Sequence, residues 1–246
     1  MSRQQNIKCF LDTQQLSRSY KVPKTTSYTY DDISEDLKTY ENTEIQVCNN
    51  DCIAVAQTYA EQEGSVCLLN MASAWKAGGG VATGSSAQEE TICRRSNLYS
   101  SLEKMEYPMP EHVCYMTKDV TFFKDDEHSN YQLYDNPFQI DVISMAAYKI
   151  SGKGPTDIQM GGMLTKIKLL LLAAASNGND TLILSALGCG AYGWSATVVS
   201  ELFWIVLVEE NLKKYFKTIV FAIIDDHNTK KEGNFAPFEK TFRSTE

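Results

Sequence analysis

Four short, almost uninterrupted apolar runs constrain this chain more than any other feature: SVCLLNMA (65–72), FQIDVISMAA (138–147), TLILSAL (181–187) and TIVFAIID (218–225). A run of that length without polar alternation suits a strand buried on both faces. Such strands occur where helices cover both sides of a largely parallel sheet. The intervening segments carry helical signals. DCIAVAQTYAEQEG begins at an acidic N-cap, Asp51, and ends at Gly64. DIQMGGMLTKIKLLLLAAASNG (157–178) stops at Asn177-Gly178, a favourable C-cap, and SATVVSELFWIVLVEENLKKYF starts at Ser195. EIQVCN (44–49) adds a strand, VCYMTKDVTFFKDD one or two more, and AQEETICRRSNLYSSLEKM reads as helical. Strands alternating with helices predict an α/β sandwich around a mostly parallel or mixed sheet. Residues 1–44 are polar, and TTSYTYDDISEDLKTYENTE is only weakly periodic. The expectation is an N-terminal extension over 1–44, a helix and loop packed on the outside, followed by one domain over 45–246.

Charge and cysteine usage narrow the chemistry. The formal net charge of −8 argues against loose, counterion-driven binding to nucleic acid. An anionic ligand would have to be held by backbone N–H groups or a few placed arginines. Seven cysteines, an odd number, sit mostly in apolar segments, as reduced, buried thiols of an intracellular protein do. Cys48 and Cys52 are the closest pair, but no second Cys/His pair completes a zinc site, and no metal is expected. His112, His128 and His227 are scattered and read as surface or structural residues. The start, MSRQQNIKCFLDTQQ, has no signal-peptide core. The longest uninterrupted apolar run, residues 169–175, is too short to span a bilayer. A cytoplasmic protein with no membrane association is expected.

In sheets of this kind ligands bind beyond the carboxyl ends of the strands. The loops after 65–70, 181–187 and 218–225 are therefore expected to line one crevice. Two of them are glycine-rich. The first, NMASAWKAGGGVATGSSAQEE (70–90), places Gly78, Gly79 and Gly80 in a row, with Gly84 beyond them. The second is Gly188-Cys189-Gly190-Ala191-Tyr192-Gly193. Either alone reads as a tight turn. Together, each after a buried strand, they suggest two amide-rich concavities for a diphosphate. Tyr192 either stacks on a base or sugar, or sits half-buried with its hydroxyl in water.

Glu89 and Glu90 follow the glycines. On a helix they point about 100° apart, so both can border one cavity while facing different atoms. One carboxylate can accept hydrogen bonds from a sugar. The other can protonate a departing oxygen, which requires a raised pKa. Glycoside cleavage uses carboxyl groups in this way. A helix N-terminus pulls in the opposite direction, favouring the anion. The plain alternative, an ordinary acidic first turn, loses ground beside three glycines. Arg94 and Arg95 either pair with the glutamates, guard phosphates, or lie on a solvated face.

With these residues in view, the spacing GGG-x7-QEE resembles the signature of poly(ADP-ribose) glycohydrolases, and ETICRRSNLYSSL is similar to their microbial-type branch. LNMASAWKAGGG, FQIDVISMAA, ALGCGAYGW and VFAIID agree in order, over roughly residues 44 to 228. The resemblance implies a macrodomain-like three-layer α/β/α sandwich with added helices and an ADP-ribose pocket, and no cofactor. It implies that Gly78, Gly79 and Gly80 contact the diphosphate and distal ribose. It makes Glu90 the general acid, Glu89 the holder of ribose hydroxyls and Gln88 a support for the loop. Gly188, Cys189, Gly190, Ala191 and Tyr192 become the second phosphate loop, with the Tyr192 ring over the ligand, and Asn70 lies near the ribose. Two departures touch loop shape: Lys76-Ala77 stands where a proline often precedes the glycines, and Gly193-Trp194-Ser195 where asparagine is common. The expected substrate is poly(ADP-ribose), the product ADP-ribose and the state monomeric. Two alternatives use the same pocket: hydrolysis of mono-ADP-ribosylated protein or nucleic acid, and a reader that binds ADP-ribose without cleaving it.

Overall fold

The computed structural model describes residues 1–62, 64–152, 154–225 and 233–243. Seven strands form one mixed sheet: β1 Lys24–Tyr28, β2 Glu44–Cys48, β3 Val66–Met71, β4 Cys114–Lys124, β5 Leu133–Met145, β6 Thr181–Leu184 and β7 Thr218–Ala222. Their order across the sheet is β1-β4-β5-β3-β6-β7-β2. β5, β3, β6, β7 and β2 run parallel, while β4 is antiparallel to both β1 and β5. The helices are α1 Arg3–Ser17, α2 Cys52–Ala60, α3 Gln88–Arg95, α4 Tyr99–Leu102, α5 Asp157–Ser176, α6 Ala196–Trp204 and α7 Phe235–Phe242.

The unbroken apolar runs explain the layering. Side chains alternate across a strand. Cys67, Leu69, Ile143, Leu182, Ile219 and Phe221 therefore face one side, packed with residues of α5, α6 and α7. Val66, Leu68, Val142, Ile183 and Val220 face the other, packed with Ile53 and Ala56 of α2, Ile92 of α3 and Leu102 of α4. Both faces are buried, which gives the α/β/α sandwich that the sequence predicts. Each fully buried Leu, Ile or Phe contributes about 1.5–3 kcal/mol. α5 is long and apolar enough to cross a membrane, but Met163, Ile167, Leu170, Leu171 and Ala174 are buried in the first of these layers.

Local signals set the helix ends. Asp51 Oδ1 accepts the amide of Ala54 at 2.9 Å and starts α2. Thr156 and Gln159 form a capping box on α5, and Gly178 follows its C-cap Asn177 at φ +81.

Elsewhere the chain departs from expectation. Lys24–Tyr28 supplies β1, one of the sheet's two edge strands, because its β-branched and aromatic residues suit a pleated surface. Thr25 hydrogen-bonds Ser101 and Thr117 there. Residues 1–44 also supply α1, which packs beside α3. The expected helix after Ala87 is split at Ser96. Its hydroxyl bonds the Ile92 carbonyl while its backbone turns extended and bridges Phe122. The expected long helix after Ser195 gives α6, then a wider turn over Ile205–Glu209, and ends near Asn211 at φ +59. α7, unforeseen, seats Phe238 and Phe242 against Phe221. All seven cysteines are free thiols. His112 and His128 are exposed, and His227 lies outside the described residues.

Candidate active site

The carboxyl end of β3 and the first turn of α3 are joined by one side chain. Gln88 accepts the Met71 amide at 2.8 Å through Oε1 and donates to the Leu69 carbonyl at 2.6 Å through Nε2. It thus pairs with strand backbone where the ladder ends. This contact fixes the start of α3 and the two glutamates behind it.

Both glutamates are buried, Glu89 at 3% and Glu90 at 7% exposure. Glu89 accepts the amide of Ser73 at 2.7 Å on Oε2 and that of Gly78 at 3.2 Å on Oε1. Glu90 accepts the amide of Gly80 at 2.7 Å on Oε1, while its buried Oε2 has no partner among the described residues. Gly78 and Gly79 adopt φ of +66° and +54°, a region that side chains rarely enter. A Cβ on Gly79 would stand 2.7 Å from Glu90 Oε1 and 2.9 Å from Glu89 Oε2. One on Gly78 would strike the Tyr99 ring, and one on Gly80 the Ser85 side chain. The three glycines are therefore what lets the backbone lie against two carboxyls.

Burial pushes the Glu89 carboxyl up to about 8, and the neighbouring Glu90 adds to that. The amides of Ser73 and Gly78 and the side chain of Asn70 pull the other way. Asn70 is fully buried at the end of β3 and bonds Ser144 at 3.0 Å. It is absent from the walls of both cavities described next, so it lies behind Glu89.

Two cavities open here. One, of about 670 Å³, is lined by Asn50–Ile53, Ser185, Ala186 and residues 222–224 at the ends of β2, β6 and β7. The other, of about 350 Å³, is lined by Ser73, Gly79, Gly80, Glu89, Gly188 and Tyr192, among others. Met71, Ala87, Gln88, Glu90, Gly190 and Ala191 border both. With Met71 at the end of β3, the ends of β3, β6 and β7 line one crevice as expected, and Glu90 stands in the wall common to its two halves.

The second glycine loop is built differently. Gly188, at φ +81°, packs so closely that a Cβ would meet Ala147 at 2.8 Å and Trp194 at 2.9 Å. The Trp194 amide donates back to the Gly188 carbonyl at 3.1 Å, and Cys189 is buried with its amide on Ala186. At the tip a Cβ on Gly190 would meet nothing within 4 Å. The amides of Gly190, Ala191 and Tyr192 find no acceptor among the described residues. Such consecutive, unspent N–H groups suit an anion. In the first loop, by contrast, the Gly78 and Gly80 amides go to the glutamates and that of Gly79 to the Lys76 carbonyl. Tyr192 ties the two loops together: its hydroxyl accepts the Ala74 amide at 2.7 Å rather than facing water.

Arg94 and Arg95 meet neither the glutamates nor solvent. Arg94 donates to the Ser85 carbonyl and the Tyr131 hydroxyl. Arg95 pairs with Asp51 at 2.7 Å and with Tyr134. Both are buried, Arg94 against the first loop through Ser85 and Arg95 against the start of α2 through Asp51. α1 backs the same region: Thr13 bonds the Arg94 carbonyl at 2.6 Å, Asn6 bonds that of Gly84, and Phe10 meets Tyr99 edge-on at 5.0 Å. Sequence reasoning missed Ser73, Ser85 and Tyr99, which carry no motif of their own. Asp51 showed only its capping role. No group of three His, Cys, Asp or Glu among the described residues is placed to hold a metal ion.

The family model "Microbial-type PARG, catalytic domain" matches residues 7–134. Among solved structures, the poly(ADP-ribose) glycohydrolase of Thermomonospora curvata is 22% identical with a TM-score of 0.86, covering 98% of this chain and 100% of that one. Bound to the inhibitor ADP-HPD, the T. curvata protein gives 23% identity, a TM-score of 0.83 and the same coverage. The Deinococcus radiodurans glycohydrolase in complex with ADP-ribose is 21% identical with a TM-score of 0.75, covering 96% of this chain and 97% of that one. At these identities the likeness establishes the fold. No curated protein matches the chain.

Proposed function

The chain belongs to the microbial-type PARG catalytic-domain family, and from that premise we propose that it cleaves ribose–ribose O-glycosidic bonds of poly(ADP-ribose), with Glu90 as general acid. The family is one of glycohydrolases, so the chain is a hydrolase of glycosidic bonds. The observation that carries the finer reading is the asymmetry of the two carboxyls. Both oxygens of Glu89 are committed to backbone amides, whereas Glu90 is fixed by one oxygen and leaves Oε2 without a partner between two cavities. A buried polar atom with no partner is costly, and a substrate oxygen at that position would relieve it.

In this reading the diphosphate lies on the free amides of Gly190 and Ala191, and Glu89 holds and orients ribose hydroxyls. A proton on the Oε2 of Glu90 passes to the departing ribose oxygen as the bond to the anomeric carbon breaks. The resulting carboxylate then takes a proton from the water that attacks the oxocarbenium-like centre. One water is consumed; a free hydroxyl forms on the leaving unit and another on the released ADP-ribose.

The test is to mix the purified protein with poly(ADP-ribose) and identify the products by mass. Wild type is expected to release ADP-ribose. Glu90→Gln is expected to lose about 10²–10⁴-fold in rate while calorimetry still detects ADP-ribose binding. Normal turnover by Glu90→Gln would remove that residue from the chemistry.

A further inference from the structure

We propose that Trp75, Lys76 and Lys149 form a subsite for the leaving unit, holding the adenine and phosphates of the ADP-ribose from which the terminal one is cut. The proposal rests on the reading above and concerns the other side of the same bond. All three residues line the 350 Å³ cavity together with Glu89 and Glu90. Trp75 is 66% exposed, whereas Trp194 is fully buried. An indole left that open in a cavity walled by two buried acids offers a face for stacking. Base–aromatic stacking contributes about 1–3 kcal/mol per base and tolerates any base.

Charge points the same way. The chain carries a net charge of −8, yet this rim presents two lysines, and neither forms an ion pair among the described residues. Cations kept unpaired on an acidic protein, beside an aromatic plate, match a nucleoside diphosphate. The backbone holds the plate in place. The Ala74 carbonyl accepts the Met109 amide at 2.8 Å, the Ala74 amide is bonded to Tyr192, and the Ser73 amide to Glu89. Trp75 is thus two residues from a direct contact with the carboxyl pair. Substrate chemistry supplies the reach. In the polymer the leaving oxygen belongs to an adenosine ribose, and the carbon next to the one bearing that oxygen carries the adenine. A base on the departing unit must therefore lie close to the acid, where Trp75 stands.

The experiment compares two substrates that share the scissile bond. One is poly(ADP-ribose); the other is ADP-ribose carrying a small 4-nitrophenyl group at the anomeric oxygen, which has neither base nor phosphate on its leaving side. Trp75→Ala is expected to lower kcat/KM on the polymer about tenfold, in the range of one lost stack, and to leave the nitrophenyl substrate unchanged. Trp75→Phe should restore most of the loss. Lys76→Ala/Lys149→Ala should raise KM for the polymer and flatten its salt dependence. Equal effects of Trp75→Ala on both substrates, or none on either, would overturn the subsite. Wild type cleaving neither substrate would instead overturn the function it rests on. Thermal melting keeps the two apart from misfolding, since a side chain this exposed should leave stability unaltered.

Discussion

The two glycine loops look alike in composition and do opposite work. In Gly78–Gly80 the amides of the outer two residues are consumed by Glu89 and Glu90, and a Cβ at Gly79 would collide with both carboxyls. At Gly190–Ala191 the amides find no acceptor among the described residues, and a Cβ on Gly190 would enter open space. The outer amides of the first loop hold the acids, and those at the tip of the second have no acceptor among the described residues. Glycine-rich turns cannot be assigned to phosphate from composition alone. What their N–H groups already hold decides.

The comparison breaks most readily at the glycines. Gly79→Ala should cost about 1–3 kcal/mol in a denaturant melt, from its φ and the collision. It should also lower kcat on poly(ADP-ribose) by about 10²-fold, because the acids move. Gly190→Ala should stay within about 0.5 kcal/mol of wild type and change KM more than kcat. Similar losses in both variants would erase the distinction between the loops.

Glu89→Gln sharpens it through pH. The folded protein holds the Glu89 proton up to about 8, against 4.5 for a free carboxyl. The folded state therefore binds that proton more tightly than the unfolded one. Its stabilising contribution is full below pH 4.5 and is lost as pH rises through about 8. Wild type should lose Tm steadily across that window, and Glu89→Gln should flatten the curve. Identical profiles would mean that the amides of Ser73 and Gly78 outweigh burial.

Tyr192→Phe should cost about 1–3 kcal/mol, since it strands the Ala74 amide that joins the loops, and should raise KM. Thr13→Val, which removes the bond to the Arg94 carbonyl behind the first loop and the one that Lys124 Nζ donates to Thr13 at 2.9 Å, should cost about 1–3 kcal/mol with kcat almost unchanged. Melts and steady-state rates check both.

The centre of the sheet was legible because β3, β6 and β7 are buried on both sides and read as continuous apolar runs. The edge strand β1 was not, since an exposed, polar segment such as Lys24–Tyr28 shows no such run. The acids and both loops were visible as motifs. The direction of the amides was not, because it depends on φ at Gly78 and Gly79 and on where α3 starts, which Gln88 fixes from a distance. The place of Arg94 and Arg95 stayed open among glutamate pairing, phosphate guarding and a solvated face for a related reason. Adjacent charges on a short helix look solvated until Asp51, Ser85, Tyr131 and Tyr134 close around them.

A crystal structure with ADP-ribose bound tests the division between the loops most directly. The expected result has diphosphate oxygens within hydrogen-bond distance of the Gly190 and Ala191 amides, with Gly78 and Gly80 still donating to Glu89 and Glu90. Phosphate oxygens seated on Gly78 and Gly80, with the glutamates displaced, would contradict it.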